Sequence, residues 1–150
     1  MKKKFLLLLC IMMASTAFLA ACSARNDKNA NLTANDLVGV IGKGYKEMKN
    51  AIGEMAEDMN EMRSSSYSYT RKILGRDAEI SISMDDSGDK VERIIIYTDK
   101  ESLDDWRNHL GENFGVGAND LWNNENAKIR VMDGGERGVI YIEKSSTETR

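Results

Sequence analysis

Ala78-Glu79-Ile80-Ser81-Ile82-Ser83-Met84 decides the fold: apolar and polar residues alternate along the whole stretch. A period of two places Ala78, Ile80, Ile82 and Met84 on one face of a strand and the glutamate and serines on the other. A strand with one apolar and one polar face belongs to an antiparallel sheet that packs on one side and meets water on the other. The flanks agree, because Gly75-Arg76-Asp77 precedes the stretch and Asp85-Asp86-Ser87-Gly88-Asp89 follows it, and both are rich in turn formers. Beyond those turns, Tyr67 to Ile73 and Val91 to Thr98 read as further strands, which gives a three-strand meander. Ile94, Ile95 and Ile96 supply apolar residues to both faces, as expected of a central strand.

Upstream, the period changes. Leu37, Ile41, Tyr45, Met48, Ile52, Met55, Met59 and Met62 recur at steps of four and three, which makes one helical face. Thr33 with Asp36, or Asn35 alone, supplies an N-cap, and Ser64-Ser65-Ser66 ends the segment. Gly39, Gly42, Gly44 and Gly53 weaken it and leave open a division into two shorter helices. Downstream, a second helix begins near Asp99 or Ser102 and carries Leu103, Trp106, Leu110 and Phe114 on one side, with Asp104 and Asp105 in its first turn. Gly115-Val116-Gly117 stops it. Lys128 to Met132 and Gly138 to Glu143 flank Asp133-Gly134-Gly135-Glu136 and form a hairpin. The expected fold is α+β: helix, three strands, helix, two strands, an antiparallel sheet of about five strands with two helices packed on one face. No internal repeat is evident.

The N-terminus is a processing segment. Lys2, Lys3 and Lys4 precede a run from Phe5 to Leu19 that is apolar apart from Ser15 and Thr16, the layout of a secretory signal peptide. The run is too short to span a bilayer and lacks a basic stop-transfer flank. Leu19-Ala20-Ala21-Cys22 resembles the lipobox of bacterial lipoproteins, which are cut before the cysteine. That resemblance implies a diacylglycerol on the thiol of Cys22 and, with further acylation of the new amino group, a stable membrane anchor. Ser23 after the cysteine is not the aspartate that, by the same resemblance, retains Gram-negative lipoproteins at the inner membrane. The alternatives are a secreted protein cut after Ala21 and an uncleaved helix.

The segments then divide into a signal peptide (1–21), the lipidated cysteine with a small, polar tether (22–35), one α+β domain (36–143) and a polar tail (144–150). The tether's twelve residues 23–34 reach about 40 Å at most. Gly44-Tyr45-Lys46-Glu47-Met48-Lys49-Asn50-Ala51-Ile52-Gly53 followed by Tyr67-Ser68-Tyr69 resembles the helix-then-meander opening of small bacterial envelope lipoproteins of the beta-lactamase-inhibitor-protein-like fold. The resemblance concerns fold and brings no functional residue with it.

The full chain has 150 residues, 41% hydrophobic and 30% charged, with no proline and one histidine. That length excludes a multidomain enzyme. Removal of the signal peptide takes three lysines and no acid, so the formal charge moves from −3 to −6, and nucleic acid is not an expected partner. Cys10 leaves with the signal peptide and Cys22 takes the lipid, so the domain must be stable without a disulfide in an oxidising compartment.

Functional candidates are few. Met48, Met55, Met59 and Met62 could offer thioethers to Cu(I), but they share the face that Leu37, Ile41 and Ile52 use for burial, so core packing is the expectation. The acidic turn Asp85–Asp89 lacks the spacing and closing glutamate of a calcium loop. His109 lies at the edge of the second helix stripe without a nucleophile or metal motif nearby in sequence. No catalytic residue, metal or cofactor is assigned. Trp106 reads as core. Trp122, among polar residues in the loop from Gly115 to Asn126, is the candidate exposed anchor for a protein partner, the competing reading being that it folds back over the core. The functional expectation is a membrane-anchored envelope lipoprotein acting as a non-enzymatic binding domain, facing periplasm or exterior. The alternatives are an envelope-polymer hydrolase using paired carboxylates, and Cu(I) sequestration.

Overall fold

The computed structural model describes residues 31–53 and 66–145. The alternating stretch forms β2 (Arg76–Met84), flanked by β1 (Ser66–Ile73) and β3 (Val91–Asp99). A single 3₁₀ turn (Lys100–Ser102) then leads into an α-helix, Leu103–Phe114. The chain returns as β4 (Leu121–Asn123), β5 (Ala127–Asp133) and β6 (Arg137–Lys144). Ahead of the meander stand α1 (Ala34–Val38) and α2 (Tyr45–Ile52), so the helix Leu103–Phe114 is α3. The strands make one antiparallel sheet of order β1-β2-β3-β6-β5-β4.

The α+β class and the strand alternation hold, with six strands where the sequence gives five and three helices where it gives two. The added strand is β4, three residues long and paired through Leu121↔Arg130, Trp122↔Ile129 and Asn123↔Lys128. Three residues cannot display an alternation, so the segment reads as loop. The added helix comes from a division of the first helical stripe. Gly42 adopts φ +76°, and the backbone there leaves the helix to bond the sheet: Gly42 N–H donates to Val91 O at 2.8 Å, and Val91 N–H to Lys43 O at 2.9 Å. Thr33 and Asp36 cap α1 reciprocally, the Thr33 N–H donating to Asp36 Oδ2 at 2.9 Å.

The core lies between one sheet face and the helices. Ile80, Ile82, Ile94, Ile96, Ile129, Ile140 and Ile142 are fully buried, and Leu37, Met48, Trp106 and Leu110 close over them. Burying one such side chain contributes about 1.5–3 kcal/mol. A register shift beside Met84 makes Glu92 an extra residue, so Val91 turns into the core while Arg93 keeps to the opposite face. Gly138 permits the close approach of α3, since a Cβ there would come 2.5 Å from Leu103 Cδ2.

The topology does contain a repeat. Helix followed by three strands occurs twice, and the last strands of the two halves, β3 and β6, pair at the centre. A two-fold turn about the pair Ile95↔Tyr141 carries β3 onto β6 and β2 onto β5, setting Ala78, Ile80 and Ile82 on the places of Ala127, Ile129 and Val131. The repeat lives in the core positions; the polar positions between them diverge, which hides it in the sequence.

Ordered packing extends into the segment read as tether. Leu32 and Ala34 are buried, and Leu32 bridges to Ile73 at the outer edge of β1. At the other end Lys144 belongs to β6, and Ser145 N–H donates to Asn126 O at 2.9 Å. The signal peptide, Cys22, the tether up to residue 30, Met55, Met59 and Met62, Ser64 and Ser65, and the tail from residue 146 lie outside the described residues. Among the described residues no helix is long and apolar enough to cross a membrane.

Candidate functional site

Among the described residues every helix packs against one sheet face, so the alternate side chains of β2 to β6 form a second, uncovered face. Ile95, Tyr97, Val139 and Tyr141 are half-buried there, and Met132 is 42% exposed. Register sets these residues in rows across the sheet. One row runs Arg93, Glu143, Lys128; the next runs Ile95, Tyr141, Arg130, Leu121. Neighbouring strands stand about 4.8 Å apart, so the Cα atoms of Arg93 and Lys128 flank Glu143 with about 10 Å between them.

The same residues line an open cavity of about 330 Å³ at the β4–β5–β6 end of this face. Its floor is apolar, from Tyr141, Leu121 and Met132. Its rim is charged, with Arg93, Lys128 and Arg130 against the single carboxylate Glu143. On the rest of the described surface several cations are paired, Lys72 with Asp77 at 3.4 Å, Arg76 with Asp105 at 3.1 Å, Lys100 with Asp133 at 2.7 Å and Arg137 with Glu79 at 3.3 Å, while Lys43, Lys46, Lys90 and Lys144 make no ion pair and stand apart from this cluster. Among the described residues Arg93, Lys128 and Arg130 make no ion pair. With Glu143 between Arg93 and Lys128 and Arg130 in the next row, the cluster keeps a formal excess of two positive charges, which a bound anion would offset.

The repeat shows that this charge is local to one half. Glu79, Ser81 and Ser83 of β2 occupy the places that Lys128, Arg130 and Met132 hold on β5. The core needs the same apolar residues in both halves and is indifferent to what faces outward.

Trp122, the candidate exposed anchor, is a core residue. It is 6% exposed, and its indole N–H donates to Gly115 O at 3.0 Å. Of the two readings, the one that folds Trp122 back over the core holds and the exposed anchor does not, because Trp122 is the inward-pointing central residue of a short strand whose neighbours Leu121 and Asn123 point outward. Met48 is fully buried beneath α2, as core packing requires of it. The Asp85–Asp89 turn is held by Asp85 itself, whose Oδ1 accepts from Ser87 Oγ at 2.8 Å and from Asp89 N–H at 3.0 Å. Those bonds, the Ser87 hydroxyl foremost, hold the Asp85 carboxyl below its ordinary range. Among the described residues no three His, Cys, Asp or Glu side chains converge as a metal site. His109 is half-buried, with Nε2 shielded and without a hydrogen-bond partner and Nδ1 3.5 Å from Asn113 Nδ2, so no carboxylate orients it.

A second, shallower depression of about 210 Å³ gathers Asp77, Glu79 and Asp99. Asp77 and Glu79 there hold Lys72 and Arg137, a lattice of surface ion pairs and not an acid and a base facing one substrate atom.

Comparison of the chain with protein-family models, with curated protein sequences and with solved structures finds no match. The open-face cavity therefore rests on its own geometry. Sequence reasoning missed it. The cations alternate visibly on β5, but the approach of Arg93 and Glu143 depends on the pairing of β3 with β6, which no local pattern displays.

Proposed function

We propose that this chain is a lipid-anchored protein of the bacterial envelope whose domain binds a ligand, without catalysis, on the open face of its sheet. The observation that carries the binding reading is the combination of half-buried apolar residues with three unpaired cations on a face that no described element covers. A fold needs one sheet face for its core, and an uncovered face commonly carries a mostly polar, well-paired surface. Here the ion pairs are placed elsewhere. The anchor reading is supported by the register of the basic, apolar and small residues that end at Cys22.

Two measurements test it. Expressed in bacteria with a fatty-acid probe, the wild type should be labelled and Cys22→Ser should not; an unlabelled wild type in the soluble fraction overturns the anchor. For binding, methyl resonances of Met132, Ile95 and Leu121 should shift on addition of solubilised envelope polymers, while that of the buried Met48 stays in place. Shifts confined to methyls of the helical face overturn the open-face reading.

A further inference from the structure

We infer that the ligand of the open face is an acidic saccharide, bound with its carboxylate on Arg130, ring hydroxyls at Glu143 between Arg93 and Lys128, and a sugar ring on Tyr141. The inference rests on the binding reading above and adds the chemistry of the ligand.

The cations come first. Two of the three are arginines, whose planar fork bonds a carboxylate or a phosphate through two parallel N–H groups. Their charge is not spent within the described structure, so an arriving anion displaces water from them and not a protein carboxylate.

Glu143 separates the candidate anions. Its partners in register are Arg93 on one side and Lys128 on the other, so any group that reaches both cations also meets this carboxylate. A phosphate ion offers it mainly negative charge. A uronic acid offers it ring hydroxyls, each able to donate to a carboxylate oxygen, while its own carboxylate turns toward Arg130.

The floor then selects a body for the ligand. Tyr141 stands in the row between Ile95 and Arg130, with Leu121 and Met132 beside it. Such a surface suits the C–H face of a pyranose, which is apolar on its flat side and polar round its rim. The volume of about 330 Å³ lies at the small end of ligand sites, enough for one or two sugar rings.

An acidic peptide is less well served. Peptides that bind sheets gain most from backbone hydrogen bonds along an open edge, and the edge beside this cavity is β4, only three residues long, while β6 is paired on both sides. The face offers side chains alone.

The test is calorimetric titration of the full-length chain, in polyoxyethylene detergent micelles, with trigalacturonate. The controls are neutral galactotriose, inorganic phosphate and a hexaglutamate peptide. Trigalacturonate should bind at least about tenfold more tightly than galactotriose, as expected for losing a charge-assisted hydrogen bond. Arg130→Gln should weaken it by a similar factor with an unchanged melting temperature, because Arg130 is exposed. Glu143→Gln should weaken trigalacturonate and strengthen phosphate. Equal binding of the neutral and acidic sugars, or indifference to Arg130→Gln, overturns the inference, and so does binding of hexaglutamate without the sugar. If no probe binds while the Met132 methyl still responds to envelope polymers, the acidic saccharide is wrong and the open-face reading survives. If neither responds, both fall.

Discussion

Trp122 packs its indole against the backbone of Gly117 and donates its N–H to Gly115 O. The contact with Gly117 is so close that a Cβ there would lie 2.4 Å from the ring, which explains a glycine at that place on steric grounds alone. Truncation of a buried aromatic removes both transfer energy and packing, so Trp122→Ala should cost about 3–5 kcal/mol in denaturant unfolding. Trp122→Phe keeps most of the packing, loses the N–H bond and should cost less, about 1–2 kcal/mol. A loss within 0.5 kcal/mol for the alanine variant, the typical size of a surface substitution, would return Trp122 to the surface. At this scale the polarity of the surrounding loop does not decide between an exposed and a buried Trp122. In a strand the neighbours of an inward residue point outward, so Leu121 and Asn123 say nothing about where Trp122 goes.

β4 exists because a turn and a helix together hold it. Asn119 and Asp120 take φ of 53° and 59°, and Ala118 and Leu121 exchange N–H···O bonds of 3.0 and 3.1 Å, a two-residue turn with both central residues left-handed. Asn and Asp tolerate that conformation better than other side chains. Arg107 of α3 grips the turn, with Nε and Nη2 each 3.0 Å from the two oxygens of Asp120 and Nη1 2.8 Å from Asp104. The Arg107 hydrogen bonds hold the Asp120 carboxyl below the ordinary range, and the same bonds raise Arg107 further. A carboxyl depressed in the folded state stabilises the fold above its unfolded pKa and stops doing so as pH falls through its folded pKa. The contribution of Asp120 is therefore complete above about pH 5 and fades below about pH 4. Asp120→Asn keeps the left-handed backbone and loses only the ion pair. With Asp120 41% exposed, solvent screening limits the loss to about 1 kcal/mol at neutral pH. Melting curves of wild type and variant should converge toward pH 3, and a gap that stays constant from pH 7 to pH 3 would remove Asp120 as its cause. Elements of seven or more residues were legible from their period, whereas this three-residue strand depends on Arg107, which lies thirteen residues upstream of Asp120.

The two helix-and-meander halves share one core, and this governs both what the sequence reveals and how the molecule should unfold. Core positions repeat between β2 and β5 as Ala-x-Ile-x-Ile and Ala-x-Ile-x-Val, and this apolar alternation is the part of the fold a sequence displays. The open face follows no such constraint, and its cavity assembles from β3, β4, β5 and β6 only after the halves join, which is why its residues escaped a linear reading. Joining is strong: β3 and β6 pair over seven residues, and Ile94, Ile96, Ile140 and Ile142 are all fully buried across that seam. Opening it would expose those four isoleucines, at about 1.5–3 kcal/mol each, so neither half has an independent core to fall back on. Unfolding should therefore be a single transition. The two tryptophans, Trp106 and Trp122, both belong to the second half, whereas far-ultraviolet circular dichroism reports helix and strand throughout. In urea, the chain without residues 1–22 should lose tryptophan fluorescence and circular dichroism at the same midpoint. Two separated midpoints, with fluorescence changing in only one, would show that the halves are distinct folding units and that the central strand pair is an interface between domains and not the middle of a single sheet.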